Sequence, residues 1–134
     1  MVPSDLENGI ASHLSFEQTL ARLLHGITRR HLKIFATIDF AADAGSVGMD
    51  LRPTAIIIFG NPTIGTHLLQ DVQTSALDLP LKVLVYQDSR GEIWITHIDP
   101  VTIAERHGLG PEARQAAALM RQLLIELAAE AASR

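Results

Sequence analysis

The chain has 134 residues, a formal net charge of −4 and no cysteine. That length fits one domain able to bury a core without covalent staples, and the missing cysteine excludes disulfides, thiol nucleophiles and thiolate-bound metals. Charges of both signs are scattered, with no basic patch or aromatic stripe, so nucleic acid is not an expected partner.

The opening MVPSDLENGI has neither a basic region nor an apolar run, so no signal peptide is expected. Glu7 to Ser15 then reads as a short strand. Phe16 to Arg30 reads as a helix: Ser15 and Gln18 form a capping-box pair, and Phe16, Leu20, Leu23, Leu24 and Ile27 share one face. Gly26 weakens its last turn. Leu32 to Phe40 alternates as a strand should, and AADAGSVGM reads as a short helix ending near Gly48. TAIIIFG, Thr54 to Gly60, is apolar on both faces, as expected of a central strand covered on both sides. It is far shorter than the ~18–20 residues of a membrane span, so no membrane contact is expected. Together with the absent cysteine this suits a cytoplasmic protein.

After a turn, Ile64, Leu68, Leu69 and Val72 form a helical stripe. TSALDLP reads as a loop. LKVLVYQ and EIWITHI are strands joined at Asp88 to Gly91 as a hairpin. Asp99 and Pro100 open a short helix that Gly108 ends, and Pro111 opens a last helix striped by Met120, Leu123, Leu124 and Leu127. Crossover helices combined with a hairpin predict an α+β domain with a mixed sheet of about five strands. Ile56, Ile58, Leu20, Leu24, Leu68, Val83 and Val85 are the expected core. The organisation reads as an α+β core over 1–110 followed by a separate helix over 111–134.

The stretch IFGNPTIGTHLL, Ile58 to Leu69, raises a question of its own. Gly60 lets the chain leave the strand, Asn61 is a strong N-cap, and Pro62 suits the first helical position. Capping does not explain Gly65, which costs on the order of 1 kcal/mol against alanine inside a helix. It bares the backbone beside Thr63 and Thr66. Free N–H groups, the positive helix end and two hydroxyls there would suit a small polar or anionic ligand; close approach of another element would explain Gly65 equally. Gly60 and Gly65 have phosphate-loop spacing, but Thr66 and His67 follow where the motif needs lysine. Neither a dinucleotide fingerprint nor a nucleophile elbow occurs, so no cofactor is expected.

The histidines, His13, His25, His31, His67, His97 and His107, lack metal-ligand spacing, and no metal site is expected. His67, near the turn, and His97, in the hairpin, titrate in the range of acid–base chemistry. Asp39 ends a strand, where a carboxylate is commonly a cap; if that strand ran parallel to Thr54–Gly60, Asp39 would reach the turn. Asp78 is equally ambiguous.

RPTAIIIFGNPTIGTHLLQ, ALDLPLKVLVYQDSRGEIWITHIDP and ERHGL, in that order, closely resemble the family catalogued as domain of unknown function 302. The resemblance spans Glu7 to Leu109. It implies a small α+β domain similar to two-copy assemblies and no established reaction. His67 departs from the family pattern, which has proline after the Gly-Thr pair. The reading is a homodimeric binding module, with Asn61, Thr63, Gly65, Thr66, His67 and Asp39 around a ligand, and the hairpin or tail helix at the dimer contact. Two alternatives stand beside it. One is a hydrolase- or isomerase-like enzyme using His67 or His97 with Asp39; the other is a purely structural role.

Overall fold

Five strands form one antiparallel sheet in a computed structural model that describes residues 9–134. In chain order the elements are β1 (Ile10–Ser12), α1 (Phe16–Arg29), β2 (Lys33–Asp39), α2 (Phe40–Ser46), β3 (Thr54–Gly60), α3 (Pro62–Asp71), a 3-10 turn (Gln73–Asp78), β4 (Leu81–Gln87), β5 (Ile93–Thr96), α4 (Pro100–His107) and α5 (Pro111–Ala132). The spatial order is β1-β5-β4-β3-β2, and all four ladders are antiparallel. The expected mixture of parallel and antiparallel pairs is therefore corrected. The helix between β2 and β3 does not carry the chain over a sheet face; it caps a return to the neighbouring strand. Glu7 and Asn8 of the expected first strand lie outside the described residues.

Local signals act as their chemistry dictates. Ser15 Oγ accepts from Gln18 N–H (3.1 Å), and Gln18 Oε1 accepts from Ser15 N–H (3.2 Å), closing the capping box. Gly108 ends α4 in the left-handed region at φ 63°. In the hairpin, Asp88 Oδ1 accepts from the N–H groups of Arg90 and Glu92, while its Oδ2 accepts from the Trp94 indole at 2.8 Å. That indole bond, ahead of the two backbone bonds, holds the Asp88 carboxyl below the usual range.

The core lies between one sheet face and the helices. Ala55, Ile57 and Phe59 of β3 and Val83 and Val85 of β4 face inward beside Ile93 and Ile95 of β5. Leu68, Val83 and Val85 are fully buried as expected. Ile56 and Ile58 are only half-buried, because β3 presents its other side to the helices. A strand apolar on both faces contains no period-2 signal to set its phase. Leu20 and Leu24 are half-buried at the rim of the α1 stripe, whose centre is Thr19, Leu23, Gly26 and Ile27. The opposite, outer face of the sheet carries Ile56, Ile58, Leu84, Tyr86 and Trp94, all half-buried.

The last helix is no appendage. Nine of its residues are buried, six of them alanines, and it touches α1, α3, α4, β1 and β5. Counting only the large apolar residues makes its stripe look narrow; the alanines widen it and let α5 lie close to its neighbours. This burial packs one side of α5 onto the same core as the sheet, while its other side carries the exposed Leu119 and Ile125. Gly26 is the matching concession on α1: a Cβ there would stand 3.0 Å from Glu130 Oε1 and 3.1 Å from Leu127 Cδ2. Glu130 is gripped by Arg30 (2.9 Å) and Arg29 (2.8 Å), and Arg22 donates to its carbonyl oxygen. The Arg30 bond is the main reason its carboxyl titrates below the usual range.

Candidate functional site

The strand-to-helix turn after β3 is built as its residue types require. Asn61 caps α3: its Oδ1 accepts from Thr63 N–H at 2.9 Å and Ile64 N–H at 3.3 Å. Gly65 N–H donates to Asn61 O (2.9 Å), and the Thr66 hydroxyl donates to Pro62 O (2.6 Å). The first-turn donors expected to await an anion are thus engaged within the turn.

What the turn does form is one wall of an open pocket of about 160 Å³. Gly60, Asn61, Pro62, Gly65 and Thr66 line one side. The remaining walls are apolar: Leu69 lies one turn further along α3, while Phe35 of β2, Leu79 and Pro80 before β4, Leu81 of β4 and Met120 of α5 come from distant segments. Nothing lies within 4 Å of the point a Cβ on Gly65 would occupy. Close approach of a second element therefore does not account for this glycine. Gly65 thus stands bare on the pocket wall with open space at its Cβ position.

The other predicted site residues are elsewhere. Thr63 and His67 line a broader groove of about 790 Å³ between α3 and α5, on a different side of α3, with Gly110, Ala113, Ala116 and the exposed Leu119 along its far wall. Asp71 closes one end by accepting from Gly110 N–H at 2.7 Å. Asp39 caps α2, its Oδ1 accepting from Ala42 N–H at 2.9 Å. It pairs with Ala55, at the opposite end of β3 from Gly60. Five residues of extended chain separate the two levels by about 17 Å. His97 follows β5, three strands away from β2, or about 14 Å across the sheet. The imidazole–carboxylate pairs of the enzyme reading, His67 or His97 with Asp39, are not brought together.

His97 is buried at 4% exposure, and its Nδ1 lies 3.3 Å from Ile98 O. Burial pushes its pKa down, against smaller upward contributions from that carbonyl and from Asp99. The ring is neutral near pH 7 and belongs to the covered face of the sheet.

A different imidazole–carboxylate pair does form. His107 Nε2 lies 2.6 Å from Asp78 Oδ2, Arg106 Nη1 donates to Asp78 Oδ1 at 2.6 Å, and His107 Nδ1 lies 3.2 Å from the Thr74 hydroxyl. The ionised carboxylate only accepts, so Nε2 bears the ring proton toward it. The His107 bond is the largest cause holding the Asp78 carboxyl below the usual range, followed among lowering contributions by Arg106. This cluster ties the 3-10 turn to α4, and that turn leads directly into the pocket residues Leu79 and Pro80. The partners sit 29 positions apart, so spacing could not pair them; their only trace is that both fall in the segments carrying the family resemblance. Among the described residues, no group of three His, Asp or Glu side chains is arranged to hold a metal ion.

The sequence profile of the family described as Domain of unknown function DUF302 matches residues 9–127. The chain belongs to the DUF302 family. The match runs into α5, consistent with that helix being part of the domain. A crystal structure of an uncharacterised conserved DUF302 protein from Bacillus stearothermophilus superimposes with a TM-score of 0.82 at 18% identity, covering 92% of this chain and 95% of that one. At that identity the likeness shows the shared fold. Among curated proteins, Fluoride-specific ion channel FluC 1 of Brucella suis biovar 1 is 40% identical over 101 residues, which are 75% of this chain and 40% of the relative. Fluoride-specific ion channel FluC 1 of Brucella abortus and FluC 2 of Brucella melitensis match at the same identity over 37% of their length. This DUF302 chain thus spans about two-fifths of those relatives. No helix among its described residues is long and apolar enough to cross a membrane.

Proposed function

We propose that this DUF302 domain is a cytoplasmic binding module that holds a small ligand in the pocket at Gly60–Thr66 and pairs with a second copy. The observation that carries the ligand site is Gly65, a helical glycine with open space where its side chain would be, set in a pocket whose other walls converge from four further segments. The matching stretch occupies a minor part of longer proteins named as fluoride-specific ion channels, which supports a module that can be joined to other sequence. Pairing is supported by the outer sheet face, where Leu84, Tyr86 and Trp94 of the hairpin lie beside Ile56 and Ile58.

Toluene is a suitable probe of the pocket. Its titration into protein labelled at the methionine methyls is expected to shift Met120 saturably, and Gly65→Leu is expected to abolish the shift. Absence of any shift at millimolar toluene, or a shift that persists in Gly65→Leu, defeats the ligand reading. Light scattering at micromolar concentration is expected to give the mass of two chains, reduced to one by Leu84→Glu; a wild-type monomer removes pairing and leaves the pocket reading in place. Fractionation of cells expressing the full chain tests the cytoplasmic setting.

A further inference from the structure

We infer that the ligand of the Gly60–Thr66 pocket is a neutral compound with a single six-membered aromatic ring, an inference that rests on the binding reading above. Three observations lead there. The first is size. A pocket of about 160 Å³ is close to the ~150 Å³ apolar cavity that accommodates benzene in another protein. One ring with a small substituent fills that volume, and a second fused ring would extend beyond it through the open mouth.

The second is the chemistry of the walls. Phe35, Leu69, Leu79, Leu81 and Met120 supply apolar contact from separate elements, and Pro62 and Pro80 add rigid rings at fixed backbone positions. A thioether beside an aromatic ring gains a favourable contact that an aliphatic ring of equal volume does not obtain. Phe35 can meet a flat ring edge-to-face or offset. A chair-shaped ring is thicker and has no quadrupole to match either neighbour.

The third is charge. No charged side chain is on the pocket lining itself, although the Lys33 ammonium stands 5.0 Å from the centroid of the Phe35 ring beside it, and the backbone donors of the adjoining helix turn are already engaged. An ion entering would lose hydration with no countercharge on the lining to replace it, and the Lys33 charge is already placed over the Phe35 ring. The polar side chains on the lining are Asn61 and Thr66. Asn61 uses its carbonyl oxygen as the cap, so its amide nitrogen retains donors; the Thr66 hydroxyl donates to Pro62 O and retains acceptor capacity. A hydroxyl substituent on the ring is compatible with both.

The experiment follows the Met120 methyl signal with five probes: toluene, phenol, cyclohexanol, 2-naphthol and sodium acetate. Toluene and phenol are expected to bind and to produce a ring-current displacement of the methyl. Cyclohexanol is expected to bind at least fivefold more weakly than phenol, with 2-naphthol binding no tighter than phenol and acetate giving no saturable change. Equal or tighter binding of cyclohexanol, or saturable binding of acetate, overturns the aromatic assignment while the pocket reading survives, provided Gly65→Leu abolishes that binding too. Failure of every probe overturns both. Met120→Leu, which keeps the volume and removes the sulfur, is expected to weaken phenol binding more than cyclohexanol binding; equal effects count against the sulfur–ring contact.

Discussion

Replacing Gly65 by alanine separates the two reasons a glycine can stand in a helix. Gly65 occupies the fourth position of α3, and its backbone is helical. A Cβ added there meets nothing within 4 Å, so the substitution encounters no clash. Alanine is favoured over glycine in a helix by about 0.5–1 kcal/mol. Gly65→Ala is therefore expected to stabilise the fold by about 0.5–1 kcal/mol, or to raise Tm by roughly 2–4 °C for a chain of this length. Urea melts followed by Trp94, the sole tryptophan, measure the change directly. In the same sample toluene affinity should fall, because the new methyl occupies the pocket wall. A residue that costs stability and keeps a cavity open is the signature of a functional trade-off. Destabilisation by Gly65→Ala would mean the space is filled, and unchanged affinity would mean the glycine does not face the ligand; either result refutes the reasoning.

Asn61→Ala is expected to cost about 0.5–2 kcal/mol in denaturant melts, while Asn61→Asp stays within a few tenths, since both side chains cap. Gly26→Ala should move oppositely to Gly65→Ala: its Cβ would crowd Glu130, Leu127 and Arg30, so overpacking of about 1–3 kcal/mol outweighs a helix gain of about 1. Calorimetry showing Gly26→Ala more stable than the wild type would contradict the close α1–α5 contact. His97 predicts a pH dependence. Its folded pKa is depressed by burial, so below about pH 6.5 the unfolded chain binds a proton that the folded chain refuses. Its contribution is fully present above that pH and is lost as pH falls toward the folded pKa; His97→Gln should flatten the stability–pH curve in that window, and an unchanged slope counts against a buried neutral ring.

Local chemistry is legible in this chain wherever the interacting groups are near neighbours. The Ser15–Gln18 box, the Asn61–Pro62 start, the Asp88 turn and the Gly108 stop each involve groups a few residues apart, and each forms as read. The order of strands and helices follows from the same short-range signals, and Gly65, which capping does not explain, lies on the wall of a pocket. Strand direction was not legible: a β–α–β stretch permits a parallel crossover or a return to the adjacent edge, and only contacts between strands choose. That choice sent Asp39 to the far end of β3 and dissolved the carboxylate–imidazole pairing. Phase in β3 was hidden because Ile56, Ile57 and Ile58 are alike, and burial of one side is settled by where α1 and α5 lie. The apolar walls of the pocket, from Phe35 to Met120, are 85 positions apart and carry no mutual pattern along the chain. They become one pocket only when the fold closes the distance, since apolar contact is non-directional and leaves no spacing rule to read.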